Sequence, residues 1–133
     1  MNRTALIYVA TLLIMVPLDI LFLGFVAKGF FQSQVGDMLG PLRPLPGLLF
    51  YLLYGVGIVV FVNGAVGADL KQVALLGALF GLVAYGTFDL TSLAVLRHWT
   101  WPVAAVDMAW GAFVTALSAS AGLALARVIS KAV

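Results

Sequence analysis

The chain has no cysteine and no glutamate, a single histidine, and little charge of either sign. Without cysteine there is no disulfide framework, thiol nucleophile or thiolate metal site. The Lys and Arg residues are scattered singly and the net charge is +2, so no basic face exists to bind nucleic acid. Charged residues make up 9% of the chain, where a soluble domain carries about 25%. So few charges cannot clothe a water-facing surface. What is abundant is apolar: 64% of the residues are hydrophobic. Lipid is therefore the expected solvent for most of the outside, and a bilayer the first expected partner.

The apolar residues fall into long runs. A helix crossing the hydrocarbon core needs about 20 mostly apolar residues. Four windows qualify, approximately residues 4–28, 47–66, 71–96 and 100–127. They predict an all-α integral membrane protein, a single four-helix transmembrane domain covering residues 1–133. The first window contains Pro17 and Asp19 and lacks a small-residue cleavage site, so it reads as a retained helix rather than a signal peptide. Gly64 to Asp69 forms a tight turn between helices two and three, and Arg97-His98-Trp99 a shorter one between three and four. Short links make these helices antiparallel neighbours.

Residues 29–46, between helices one and two, form a longer connector. Phe31, Val35 and Leu39 recur at i, i+4, i+8, which predicts a short helix lying in the interface. Pro41, Pro44 and Pro46 break it before helix two. This segment is either a plain interfacial connector or a lid over a site. The side bearing both termini holds Arg3, Lys71, Arg127 and Lys131; the opposite side holds Lys28, Arg43 and Arg97. By the positive-inside rule this balance favours cytoplasmic termini in a cell inner membrane.

Asp37 and Asp69 fall in connectors, but Asp19, Asp89 and Asp107 fall inside helices one, three and four. A charged residue at a helix centre costs about 2.5–3.5 kcal/mol to insert. Three left unpaired would cost on the order of 10 kcal/mol, comparable to the stability of a whole domain. Each must face inward and be partnered, protonated or hydrated. Asp19 lies nine residues before Lys28, Asp89 eight before Arg97, and Asp107 eight after Trp99. These spacings predict one polar layer, roughly 12–14 Å from one face. Tyr54 on helix two reaches a similar level, with Tyr51 one turn above.

Other polar side chains share these faces. Tyr85, Asp89 and Ser92 are spaced i−4, i, i+3 on helix three, with Thr91 nearby; Thr87 is on an adjoining face. Trp110 and Gly111 follow Asp107 by one turn, with Thr115 beyond. Trp110 is deep enough to wall the layer, and its N–H needs a partner there. Pro17 is expected to kink helix one beside Asp19. The candidate binding or proton-carrying residues are therefore Asp19, Asp89, Asp107, Tyr51, Tyr54, Tyr85, Ser92, Thr91 and Trp110. Crowded carboxylates cannot all ionise cheaply, so at least one is expected to hold or share a proton unless a cation neutralises the group. No cofactor motif or metal-ligand set is present. Trp99 and Trp101 read as an interfacial aromatic belt, and His98 as a solvated side chain or, alternatively, a proton relay or metal ligand.

Helix three carries Gly77-x-x-x-Gly81, and helix four carries Ala112, Ala116, Ser120 and Ala124 at four-residue spacing. Such small-residue stripes serve close packing, either inside the bundle or between protomers of a homodimer or other homo-oligomer. The halves also echo one another: Pro17-Leu18-Asp19-Ile20 matches Thr87-Phe88-Asp89-Leu90 in placement, and Tyr54-Gly55 matches Trp110-Gly111.

The runs Leu76 to Thr91 and Val106-Asp107-Met108-Ala109-Trp110-Gly111, with Asp19-x-x-Phe22-Leu23-Gly24 and Phe50-Tyr51-Leu52-Leu53-Tyr54, resemble a bacterial family of predicted membrane proteins of unknown function. The resemblance covers nearly the whole chain and implies a four-helix membrane protein without assigning an activity. The chain departs from the family pattern at Phe22, where Trp is expected, and at Phe88 and Ser92, where Tyr and Asn are frequent. Three functions remain open. The first is a small transporter or solute-binding protein using protonatable aspartates, its ligand a small solute, a cation or a lipid. The second is an intramembrane enzyme acting on a lipid or isoprenoid-like substrate by acid–base chemistry. The third is a structural or accessory subunit.

Overall fold

A computed structural model describes residues 2–66 and 69–132. Four helices are long and apolar enough to cross a membrane: Arg3–Val26, Pro44–Val66, Leu70–Val95 and Trp101–Lys131. They are called the first to fourth spans below. Local chemistry explains where they begin. The Asn2 side chain accepts from the Ala5 N–H at 2.8 Å and caps the first span. Asp69 accepts from the Lys71 N–H at 3.0 Å and caps the third, a role its place in a connector did not reveal. The second span opens three residues earlier than expected because Pro44 occupies its first turn, where a missing N–H costs nothing and the fixed φ suits the helix. The centre of the turn between spans two and three, residues 67–68, lies outside the described residues.

The first span passes Pro17 as an α-helix and changes only at Phe22–Val26, which forms a π turn. The irregularity expected at the proline thus appears one turn beyond Asp19 instead. A second π turn, Val59–Asn63, lies in the second span. Such turns shift the face that the following residues present, and they occur frequently at functional sites.

Spans three and four form the largest helix–helix interface, followed by one and four. The small-residue stripes make this possible. A Cβ added at Gly77 would meet the Ala116 backbone at 3.2 Å, and one at Gly81 would overlap the Gly111 carbonyl and Thr115. The Gly77-x-x-x-Gly81 stripe is therefore spent inside the bundle, against the fourth span. Gly122 gives room to Thr11 of the first span in the same way. The Pro44–Ile58 part of the second span leans mainly on the first. There the Tyr8 hydroxyl donates to the Leu52 carbonyl at 2.9 Å, and Gly55 lies against Tyr8 and Leu12. Met15, Ile58, Val62, Val73, Val114 and Leu123 fill the centre, while Leu13, Phe25, Leu53 and Val95 face outward. In lipid an apolar exterior is the stable arrangement.

Between spans one and two a short helix covers Lys28–Val35. The expected stripe is cut after Val35: Gly36–Met38 tightens to a 3-10 turn and Leu39 is exposed. The Thr100 hydroxyl donates to the Gln34 side-chain oxygen at 2.9 Å, which ties this connector helix to the start of the fourth span.

Candidate functional site

Asp19 is 3% exposed and has two partners from other helices. The Tyr51 hydroxyl of the second span donates to one carboxyl oxygen at 2.5 Å, and the Trp110 indole N–H of the fourth donates to the other at 2.6 Å. The Trp110 ring is held in turn by Phe22, which stacks on it with centroids 4.0 Å apart and planes within 5°. Phe22 follows Asp19 by three residues, so one turn of the first span supplies both the acceptor and the platform that orients its donor. The fourth span supplies the donor to match.

Asp89 is in a different situation. It is fully buried, and neither carboxyl oxygen has a hydrogen-bond partner. It faces Asp107 and the indole of Trp99, whose N–H is also buried and unpartnered. The Gly86–Met108 contact sets the register that brings these two acids to one level. Every Lys and Arg lies near a span end or in a connector, so no cation is available at this depth within the chain. A buried carboxyl without partners is costly, and it invites a proton, a cation or a donor group.

The three acids form two tiers rather than one layer. Thr11 lies opposite Gly122, and Phe22 lies on Trp110. Asp19 meets the fourth span at Trp110, three residues past Asp107, about one turn deeper. The difference arises because the chain past Val26 continues as the connector helix, which reaches Thr100 at Gln34. The first span therefore ends below the face from which its depth was counted. Asp107 remains within electrostatic range of Asp19, but the three carboxyls do not converge on one point. Among the described residues no three His, Cys, Asp or Glu side chains are grouped to hold a metal ion.

Tyr85 bridges the tiers. Its ring covers Gly111, meets Tyr54 edge-on at 6.1 Å, and is in electrostatic range of both Asp19 and Asp107. Tyr54 bonds to no acid; its hydroxyl pairs with that of Thr115 at 2.8 Å. The second span thus reaches the carboxyls through Tyr51. Ser92 is buried one turn beyond Asp89, and its carbonyl receives the Leu96 N–H at 2.7 Å where the third span ends. Thr91 stands apart from this group. It is exposed, and its hydroxyl turns back to the Thr87 and Phe88 carbonyls of its own helix. Thr87 does the same toward Val83 at 2.7 Å.

Arg97 and His98 are exposed, as is Trp101. Trp99, expected with Trp101 in an interfacial belt, is half-buried in the turn past the third span, with its N–H buried toward Asp89. Its neighbour across the helix break is Phe88, whose ring it meets edge-on at 5.5 Å. Thr11, Asn63 and Ser118 are further buried polar side chains whose polar atoms lack partners, and no spacing signal singled them out.

A family model described as predicted membrane protein (DUF2177) matches residues 4–124. No curated protein and no solved structure gives a significant match.

Proposed function

The chain belongs to the DUF2177 family of predicted membrane proteins, and because that family carries no assigned activity, we propose a function from the site alone. The multi-pass protein takes up a proton or a cationic solute at the Asp89–Asp107 pair and passes it toward Asp19. The observation that carries this reading is the Asp89 carboxyl, fully buried, unpartnered and facing a second carboxyl where the chain offers no positive charge. Two acids at one level need a shared proton or a cation between them. Asp19, about one turn deeper along the bundle, is a second station, with Tyr85 between. The charge count of the connectors supports cytoplasmic termini in an inner membrane, with the carboxyl pair toward the outer face.

A second reading uses the same groups. An intramembrane enzyme acting on a lipid-like or isoprenoid-like substrate would employ one protonated carboxyl of the pair as general acid. An apolar groove beside the second span, lined by Phe50, Leu53, Tyr54, Val56, Gly57, Phe61 and Phe80, is the observation that favours it, and the appearance of a modified lipid would separate it from transport.

The test is flux in proteoliposomes loaded with a pH-sensitive dye, under an imposed cation or proton gradient. Asp89→Asn and Asp107→Asn are expected to lower the flux by at least about tenfold, the scale of one lost electrostatic partner. Thr91→Val should leave it unchanged. Wild-type flux in both Asp variants sinks the proposal.

A further inference from the structure

Asp89, Asp107 and Trp99 meet where the third span gives way to the fourth. Asp89 comes from the helix Leu70–Val95, Asp107 from the helix Trp101–Ala132, and Trp99 from the turn that joins them. Asp89 is 0% exposed, and both its carboxyl oxygens lack a partner. The Trp99 indole N–H, turned toward it, is buried and lacks one too. An edge-on contact with Phe88 at 5.5 Å places the indole. Ser92 adds a buried side chain with a hydroxyl one turn from Asp89.

These groups restrict what binds between them. An ionised carboxyl only accepts hydrogen bonds, and an indole N–H only donates. An occupant that satisfies both must donate to Asp89 and accept from Trp99. A metal ion gives the N–H nothing to bond, and its charge meets the positive end of the N–H dipole. An alkylammonium head has three donors and no acceptor, so it also leaves the indole unsatisfied. Hard cations ask for about six or more oxygen ligands. The backbone carbonyls at this level are engaged inside two continuous helices, that of Ser92 by the Leu96 N–H at 2.7 Å. Water meets both demands: its two O–H groups serve Asp89 and Asp107, and a lone pair takes the Trp99 N–H. Buried waters make about three such bonds.

We infer that the Asp89–Asp107 pair holds a proton together with one bound water anchored by Trp99, and that the cargo of the site is the proton rather than a metal ion or an organic cation. The inference rests on the carboxyl-pair reading above and names its cargo. Trp99 is then the residue that sets specificity, by placing a donor where a cation would have to sit. The other titratable groups in range of Asp107 are Asp19 and Tyr85. Arg97 and His98 are exposed in the turn beside Trp99, and the connector helix meets the fourth span through the uncharged Gln34.

Infrared difference spectroscopy of the purified protein in nanodiscs, stepped through pH, reads the protonation of the pair. Asp89→Asn and Asp107→Asn assign its carboxyl bands. At constant ionic strength, a cation that displaces one proton moves the titration midpoint by about one pH unit for each tenfold change in its concentration. Exchange of choline for Na+, K+ or methylammonium is expected to leave the wild-type midpoint in place. Spectra taken in oxygen-18 water should show a shifted band from the bound water. That band should be absent from Trp99→Phe, which keeps a ring against Phe88 and removes the N–H. A midpoint that follows one of the cations overturns the inference and leaves the carboxyl reading standing, with that cation as the cargo. A wild type without the isotope-sensitive band, or a band that persists in Trp99→Phe, overturns the anchored water. A titration that neither Asp variant changes removes the carboxyl reading as well.

Discussion

Asp19 and Asp89 are the same residue type inside the same bundle, yet their partners make them chemically different. Asp19 is saturated by Tyr51 and Trp110, whereas Asp89 has only another acid and an indole N–H that falls short of bonding. The first is built to be held and the second to receive something. Trp110→Phe keeps the ring for Phe22 to stack on but deletes the N–H. The expected loss is about 1–3 kcal/mol, the cost of leaving a buried acceptor unsatisfied. Tyr51→Phe should cost a similar amount, and the double variant less than the sum, because both donors serve one carboxyl. Reversible unfolding of the purified protein in mixed micelles measures this cycle. Thr91→Val, whose hydroxyl serves only its own helix, should stay within about 0.5 kcal/mol of wild type. It lies only two residues from Asp89 in the chain. A helix residue two away from an acid is turned about 200° round the axis, so nearness in sequence put Thr91 beside Asp89 and geometry put it outside.

At the scale of elements, the third and fourth spans are held together by what their side chains lack. Gly111 leaves room for the Tyr85 ring, and Gly81 lets the Gly111 carbonyl approach. Gly81→Leu should force the two spans apart and destabilise the protein by about 1–3 kcal/mol, the range of overpacked cores. Gly24→Ala is the control. Nothing lies within 4 Å of a Cβ there, and its effect on the same unfolding measurement should be close to nil. The stripes were legible in the sequence as small-residue spacing, but their partner was not. Whether Gly77 and Gly81 meet their own fourth span or another copy depends on which helices the connectors allow to pair. The short turn after Val95 decided in favour of the fourth. The π turn after Asp19 was not legible at all, since proline is the only local signal and the helix absorbs it.

For the whole molecule, the decisive physical fact is that the solvent is lipid. The outward leucines, valines and phenylalanines contribute no folding force by leaving water, so specificity comes from close backbone contact and from buried polar pairs. Orientation follows from connector charge rather than from packing. A chain without cysteine allows a direct check: single substitutions Lys71→Cys and Lys131→Cys on one side, Arg43→Cys and Arg97→Cys on the other. In spheroplasts a membrane-impermeant maleimide is expected to label the second pair and spare the first until the membrane is opened. The reverse pattern would turn the carboxyl pair toward the cytoplasm.

The membrane class, the four spans to within a few residues and the placing of three aspartates within those spans were determined by the sequence itself. Each depends on local quantities: the length of an apolar run, a capping side chain, the cost of a charge in hydrocarbon. Only the tertiary structure decided that the aspartates occupy two tiers, that Tyr51 rather than Tyr54 serves Asp19, and that Trp99 turns inward to Asp89. These depend on the register and tilt of one helix against another. Register is set by glycine and ring contacts between residues far apart in the chain, such as Thr11 with Gly122 and Phe22 with Trp110. Counting residues from a span end cannot supply it, because the spans do not all end at the same height.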